Sequence, residues 1–197
     1  MADVPIEVLL GALRNVEQRL REVAERLSTV CAVQSTPGLG AWRGMAGHMT
    51  VSSATFLSPA ARLAVCEASL CSRGLALRAL YARGSQVRRC VDRERLAALR
   101  SAVGADGLSR LLALAPVRGA VEPDWPAELT AHALAADGLA RLRHPGGIDD
   151  PSLVYLLSLR HDWPQVPALD ESADIIAITR ESARFFADLP SLLPEFL

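Results

Sequence analysis

No lysine occurs in this chain: all 21 of its basic residues are arginine. Aromatic residues make up only 5% of the 197 positions and β-branched residues are sparse, so the side chains that favour strands are in short supply. No apolar run approaches the roughly 18 to 20 residues that a bilayer span requires. The four cysteines, Cys31, Cys66, Cys71 and Cys90, have no C-x-x-C spacing and sit in apolar stretches, a pattern of reduced buried thiols rather than of disulfides or zinc ligands. The N-terminus carries Asp3 and no basic segment ahead of its apolar residues, so no secretory signal is readable and a cytosolic location is expected. Disordered, collagen-like and mucin-like chains are excluded by a hydrophobic content of 50%.

Alanine and leucine fill what those absences leave, occupying 63 of the 197 positions. With arginine they stand at the top of the helix propensity scale. The expected fold class is therefore all-α: a compact multi-helix domain with an N-terminal amphipathic helical arm. The arm is residues 1–33, where Ile6, Leu9, Leu13, Val16, Leu20, Val23, Leu27 and Val30 keep a 3-4 alternation for four heptads. That stripe needs a helical partner, in the same chain or in another. Residues 34–57 read as a Gly/Ser-rich linker. Gly38, Gly40 and Gly44 follow a helix rather than a strand and lack the Lys-Ser/Thr of a phosphate loop, so no nucleotide site is expected there.

Residues 58–197 read as the helical domain. Ser58 and Pro59 signal a helix start, and one helix is expected from there to a stop near Gly84. Asp92 caps the next, which Gly104 closes, and Asp106 caps a short one through Leu114. A helix from Ala127 stops at His144-Pro145, Asp150-Pro151 starts another, and the last runs from about Glu171 to Asp188 ahead of an apolar tail.

Charge is unevenly spread. Residues 73–110 hold nine arginines against Asp92, Glu94 and Asp106, a net of +6, whereas residues 120–197 carry a net of −8. The plain explanation is that the two parts face each other, or that they are solvated helix faces; the functional one is a basic surface for an acidic protein. Nucleic acid is disfavoured, because the basic stretch has no interleaved aromatic other than Tyr81.

No catalytic constellation is legible. His48, His132, His144 and His161 form no H-E-x-x-H arrangement and pair with no cysteine at metal spacing. Asp149-Asp150 before Pro151 reads as capping. No G-x-S-x-G or S-x-x-K occurs. The expectation is no enzyme, no cofactor and no metal. A small helical ligand-binding protein, its pocket lined by Trp125, His132, Tyr155 and Trp163, is an alternative, as is a secretion chaperone or coiled-coil scaffold built on Ile6 to Val33.

The segment from Gly74 to Pro116 resembles the SctK family of type III secretion proteins, which includes YscK, PscK and Hrp-type members. The resemblance rests on Val87-Arg88-Arg89-Cys90-Val91, on Leu96 and Leu99, and on Gly104 before a second short helix at Leu108 to Leu114. Leu134, Gly138, Leu139 and Leu142, a helix with an internal glycine, and the later Pro151 and LVYLLSLRHDWP resemble the family's C-terminal region. Together these cover a little over half of the chain, and Ile6 to Ser58 depart from the family's N-terminal pattern. The resemblance implies a non-enzymatic cytosolic adaptor at the cytosolic face of the inner membrane. It would join the inner-membrane ring protein SctD to pods of SctQ, and through them to SctL and the SctN ATPase, without entering the membrane or binding nucleic acid. Arg88, Arg89, Arg93 and Arg95 are then candidates for a cationic patch facing an acidic partner, with pairing to Asp92 and Glu94 as their plain role. Leu192, Leu193 and Phe196 are candidates for a docking motif, or for a tail that folds onto the core.

Overall fold

The computed structural model describes residues 58–115, 122–150, 153, 154, 157 and 175–196. The N-terminal arm and the linker lie outside them. Seven helices and one 3-10 turn follow in order, with no strand among the described residues.

Helix α1 (Pro59–Val65) starts as its sequence dictates: the Ser58 hydroxyl accepts the Ala61 amide at 3.1 Å, and Pro59 occupies a first-turn position whose missing N–H costs nothing. The expected continuous helix is broken, however. Cys66 adopts extended backbone, and α2 (Ala68–Tyr81) starts afresh after Glu67. The reason lies in Gly74, where a β-carbon would meet Leu63 Cδ1 at 2.6 Å. Along one helix, residues 63 and 74 would stand about 16 Å apart. The break lets α1 fold back and seat Leu63 on the bare backbone of Gly74.

Helix α2 is the hub. From Gly74 to Tyr81 every residue is buried, because this stretch of the helix is apolar on all sides except for Arg78. A short helix α3 (Gly84–Arg89) leads to a corner, after which Asp92 caps α4 (Arg93–Val103), its carboxylate accepting the Glu94 and Arg95 amides at 2.9 and 3.3 Å. Gly104, at φ +81°, turns the chain directly into α5 (Ala105–Ala113), so it is Gly104 rather than Asp106 that stands at the helix boundary.

Helix α6 (Ala131–Arg143) begins four residues later than expected, with Thr130 as its cap: the hydroxyl accepts the Ala133 amide at 3.1 Å. Its most extensive packing is against α2. Gly138 sets how close the two come: a β-carbon there would fall on the Leu75 carbonyl, 2.7 Å from its carbon and 3.3 Å from the Ala79 nitrogen. Leu134, Leu139 and Leu142 fill the space on either side, each fully buried and each contributing roughly 1.5 to 3 kcal/mol.

Helix α7 (Ile175–Leu192) crosses α2 with Phe185 and Leu189 in the core, and it runs through Pro190 past its expected end before the 3-10 turn Pro194–Phe196. Of the cysteines described, Cys71 is buried, whereas Cys66 and Cys90 are half-buried; all three are free thiols.

Candidate interaction surface

The basic middle and the acidic end of the sequence face each other. Arg78 on α2 donates to the Glu181 carboxylate and, at 3.1 Å, to the Ser182 hydroxyl on α7, and its guanidinium lies 5.5 Å from the Phe185 ring centroid. Arg83, also buried, uses all five of its N–H groups. It donates twice to the Asp137 carboxylate (2.7 and 3.1 Å), twice to the Asp124 carbonyl (2.7 and 3.0 Å) and once to the Ala79 carbonyl (2.8 Å). Arg141 joins Asp137 at 3.3 Å; burial lowers its pKa from the ordinary arginine value, and the Asp137 charge opposes that. Nearer the surface, Arg73 pairs with Glu195 at 3.5 Å and Arg89 approaches Glu122 at 3.8 Å. Glu195 is held below the usual carboxylate range, by a backbone hydrogen bond first and by the Arg73 charge second. The plain reading of the charge asymmetry therefore accounts for much of it: opposite signs meet across α2, α6 and α7.

Tyr81 ends the same seam. Its hydroxyl donates to Asp188 at 2.7 Å, and its ring meets Phe185 edge-on at 5.5 Å. Burial, and then the hydrogen bond to the Asp188 carboxylate, raise its pKa above the ordinary tyrosine value. A raised pKa means that the fold favours the neutral phenol. That stabilisation is complete below the unfolded value of about 10 and is lost as pH rises past it. No lysine titrates in the same range. Urea midpoints should therefore fall between about pH 9 and about pH 11, and fall less steeply in Tyr81→Phe.

The four arginines singled out from the sequence divide. Arg88 is half-buried and ties α3 to α5, donating to the Gly84 carbonyl (2.9 Å) and the Leu111 carbonyl (3.3 Å). Arg95 lies over Trp125, 5.4 Å from its ring centroid, on a ring that Arg83 also approaches at 5.8 Å. These two hold the fold together. Arg89, with 77% of its side chain accessible, and the exposed Arg93 are the outward pair. Asp92 spends its carboxylate on the α4 amides, so the pairing with neighbouring acids that was one reading of these arginines is replaced by capping.

Between α3 and α4, Gln86, Arg89, Cys90, Val91, Asp92 and Arg95 line an open depression of about 550 Å³. Val91 stands at its rim, 91% exposed. In the sequence Val91 stood out only as part of the Val87–Val91 resemblance and not as a partner contact. Of the two readings of the tail, the burial of Leu192 and Leu193, 1% and 0% exposed, matches folding onto the core. Their burial follows from α7 continuing through Pro190; the Phe196 side chain lies outside the described residues.

Of the residues of the ligand-pocket alternative, Trp125 is taken up by guanidinium groups, His132 is exposed in the first turn of α6, and Tyr155 and Trp163 lie outside the described residues. Neither Trp125 nor His132 lines the corner depression or the smaller one of about 330 Å³ that Ser58, Ile148, Thr179 and Phe186 border. No group of three or more His, Cys, Asp or Glu able to hold a metal occurs among the described residues, and no described helix is long and apolar enough to cross a membrane. At the α3–α4 corner the described residues present an apolar tip beside guanidinium groups.

Comparison with known proteins found no curated protein and no solved structure that matches the chain significantly. A family model described as "Bacterial type III secretion protein (HrpB4)" matches residues 11–195, which includes residues 11–33 of the N-terminal arm that the resemblance had left aside.

Proposed function

The chain belongs to the HrpB4 family of bacterial type III secretion proteins, an SctK-type family, and from that premise we propose that it is a non-enzymatic adaptor of the secretion apparatus. It would sit at the cytosolic face of the inner membrane and connect the ring protein SctD to pods of a SctQ-like protein, which in turn carry SctL and the SctN ATPase. The observation that carries the reading is the family match over residues 11–195. Two features support it. The described helices close around a core held by internal Arg–carboxylate contacts, which suits a stable body that others dock onto. The exposed Val91 beside Arg89 at the α3–α4 corner offers a surface to a partner.

The reading is tested by purifying the tagged full chain from cells that express the secretion apparatus. A SctQ-like protein and the SctD-like ring protein should be recovered with it. Recovery of secreted substrates in their place would favour the chaperone alternative.

A further inference from the structure

We infer that the α3–α4 corner is a docking surface for an acidic segment of a partner protein, with Val91 as its apolar anchor and Arg89, Arg93 and Arg100 as its guanidinium rim; the inference rests on the adaptor reading. An isolated exposed valine is ordinary; this one is distinguished by what holds it out. Behind it the Cys90 amide donates to the Val87 carbonyl at 3.2 Å, Asp92 fixes the start of α4, Arg88 bonds across to Leu111, and Gln86 donates to the Pro123 carbonyl at 3.0 Å. The tip is thus pre-organised, and little freedom is lost when a partner covers it.

The charges around the tip favour one kind of partner. Two of the nearby carboxylates are engaged: Asp92 accepts the Glu94 and Arg95 amides, and Glu122 accepts the Ser85 amide at 2.6 Å through one oxygen while its other oxygen lies 3.8 Å from Arg89. Glu94 is the acid left exposed beside three outward guanidinium groups. Arg93 and Arg100 are seven residues apart on α4 with the exposed Ala97 between them, so they share one face over a side chain small enough to admit a neighbour. Neither makes a side-chain hydrogen bond or ion pair with any described residue, whereas Arg83 uses all five of its N–H groups and Arg78 is tied to Glu181 and Ser182. Guanidinium presents a planar fork that takes a carboxylate through two parallel hydrogen bonds, which an ammonium does not do. An apolar anchor within such a rim matches a peptide segment that places an apolar side chain between Asp or Glu residues. It matches nucleic acid poorly: the rim is short, and the one aromatic ring nearby is covered by Arg83 and Arg95.

The test measures association of the full chain with each partner proposed above, by surface-immobilised kinetics at two salt concentrations. Val91→Asp should weaken binding about tenfold or more, chiefly through faster dissociation. Arg89→Glu with Arg93→Glu should slow association and remove its salt dependence. Arg89→Lys with Arg93→Lys keeps the charge and loses the fork, so association should stay within about twofold while dissociation quickens several-fold. All three variants should melt as the wild type does, because none of these side chains contributes to the core. Wild-type binding that every corner variant retains overturns this surface and leaves the adaptor reading intact. A wild-type chain that binds neither partner overturns the adaptor reading, and the surface with it. A loss confined to binding of duplex DNA, anionic vesicles or a second copy of the chain overturns the assignment to an acidic protein segment.

Discussion

Gly138→Ala should destabilise the domain by roughly 3 kcal/mol, lowering its thermal midpoint by about 10 °C. The direction is not what helix propensity alone would give, since alanine in place of a helical glycine is ordinarily favourable by up to about 1 kcal/mol. Here the added methyl would have to share space with the Leu75 carbonyl and the Ala79 nitrogen, and backbone atoms cannot rotate aside as a side chain can. α2 and α6 must separate, and the leucines packed between them lose contact. Gly107→Ala supplies the contrast. It too is a buried helical glycine, but its nearest new neighbours would be Leu77 side-chain carbons at 3.8 and 3.9 Å and Val103 Cβ at 3.9 Å, ordinary van der Waals distances. That variant should be neutral or stabilised by about 0.5 to 1 kcal/mol. Paired urea melts of the two variants distinguish a close helix approach from a general intolerance of alanine.

Arg83→Ala should cost about 3 to 5 kcal/mol, because it leaves a cavity at a buried side chain and takes two donors from the part-buried Asp137 carboxylate and three from the Ala79 and Asp124 carbonyls at once. Asp137 would keep only Arg141, and the Asp124 carbonyl would lose both of its bonds from this side chain. Arg83→Lys separates charge from geometry. Its ammonium has three donors against the five that Arg83 uses, so a loss of roughly half as much is expected although the net charge is unchanged. Chemical denaturation should show the order wild type, lysine variant, alanine variant. A lysine variant as stable as wild type would mean that charge alone matters at this site.

How much of this was legible beforehand follows from where each signal resides. Helix ends written in single residues were readable: Ser58-Pro59, Asp92, Gly104 and His144-Pro145 all mark boundaries where the structure has them. Boundaries set by tertiary contact were not. The break after α1 depends on Leu63 reaching Gly74, and the late start of α6 reflects the use of Asp124 and Trp125 by Arg83 in the segment before it. The opposed charges of residues 73–110 and 120–197 pointed to mutual attraction, but periodicity could not say which arginines were inside. Arg78 carried one usable clue: Leu75, Ala76, Leu77, Ala79, Leu80 and Tyr81 leave no polar face on this half of α2, so an arginine within that run must find its partners in the core. For the surface, Arg89 and Arg93 were legible as candidates, whereas the inward roles of Arg88 and Arg95 became visible only with Leu111 and Trp125 in place. The tail illustrates the same limit, since an apolar C-terminal motif reads alike whether it is bound for a partner groove or for the core that Leu192 and Leu193 occupy.

An adaptor must hold two proteins at the same time. The most direct measurement is sedimentation of the purified full chain mixed with the SctQ-like pod protein and the cytosolic region of the ring protein. A single species containing all three is the predicted result. Two pairwise complexes that exclude each other, or no complex at all, would contradict it.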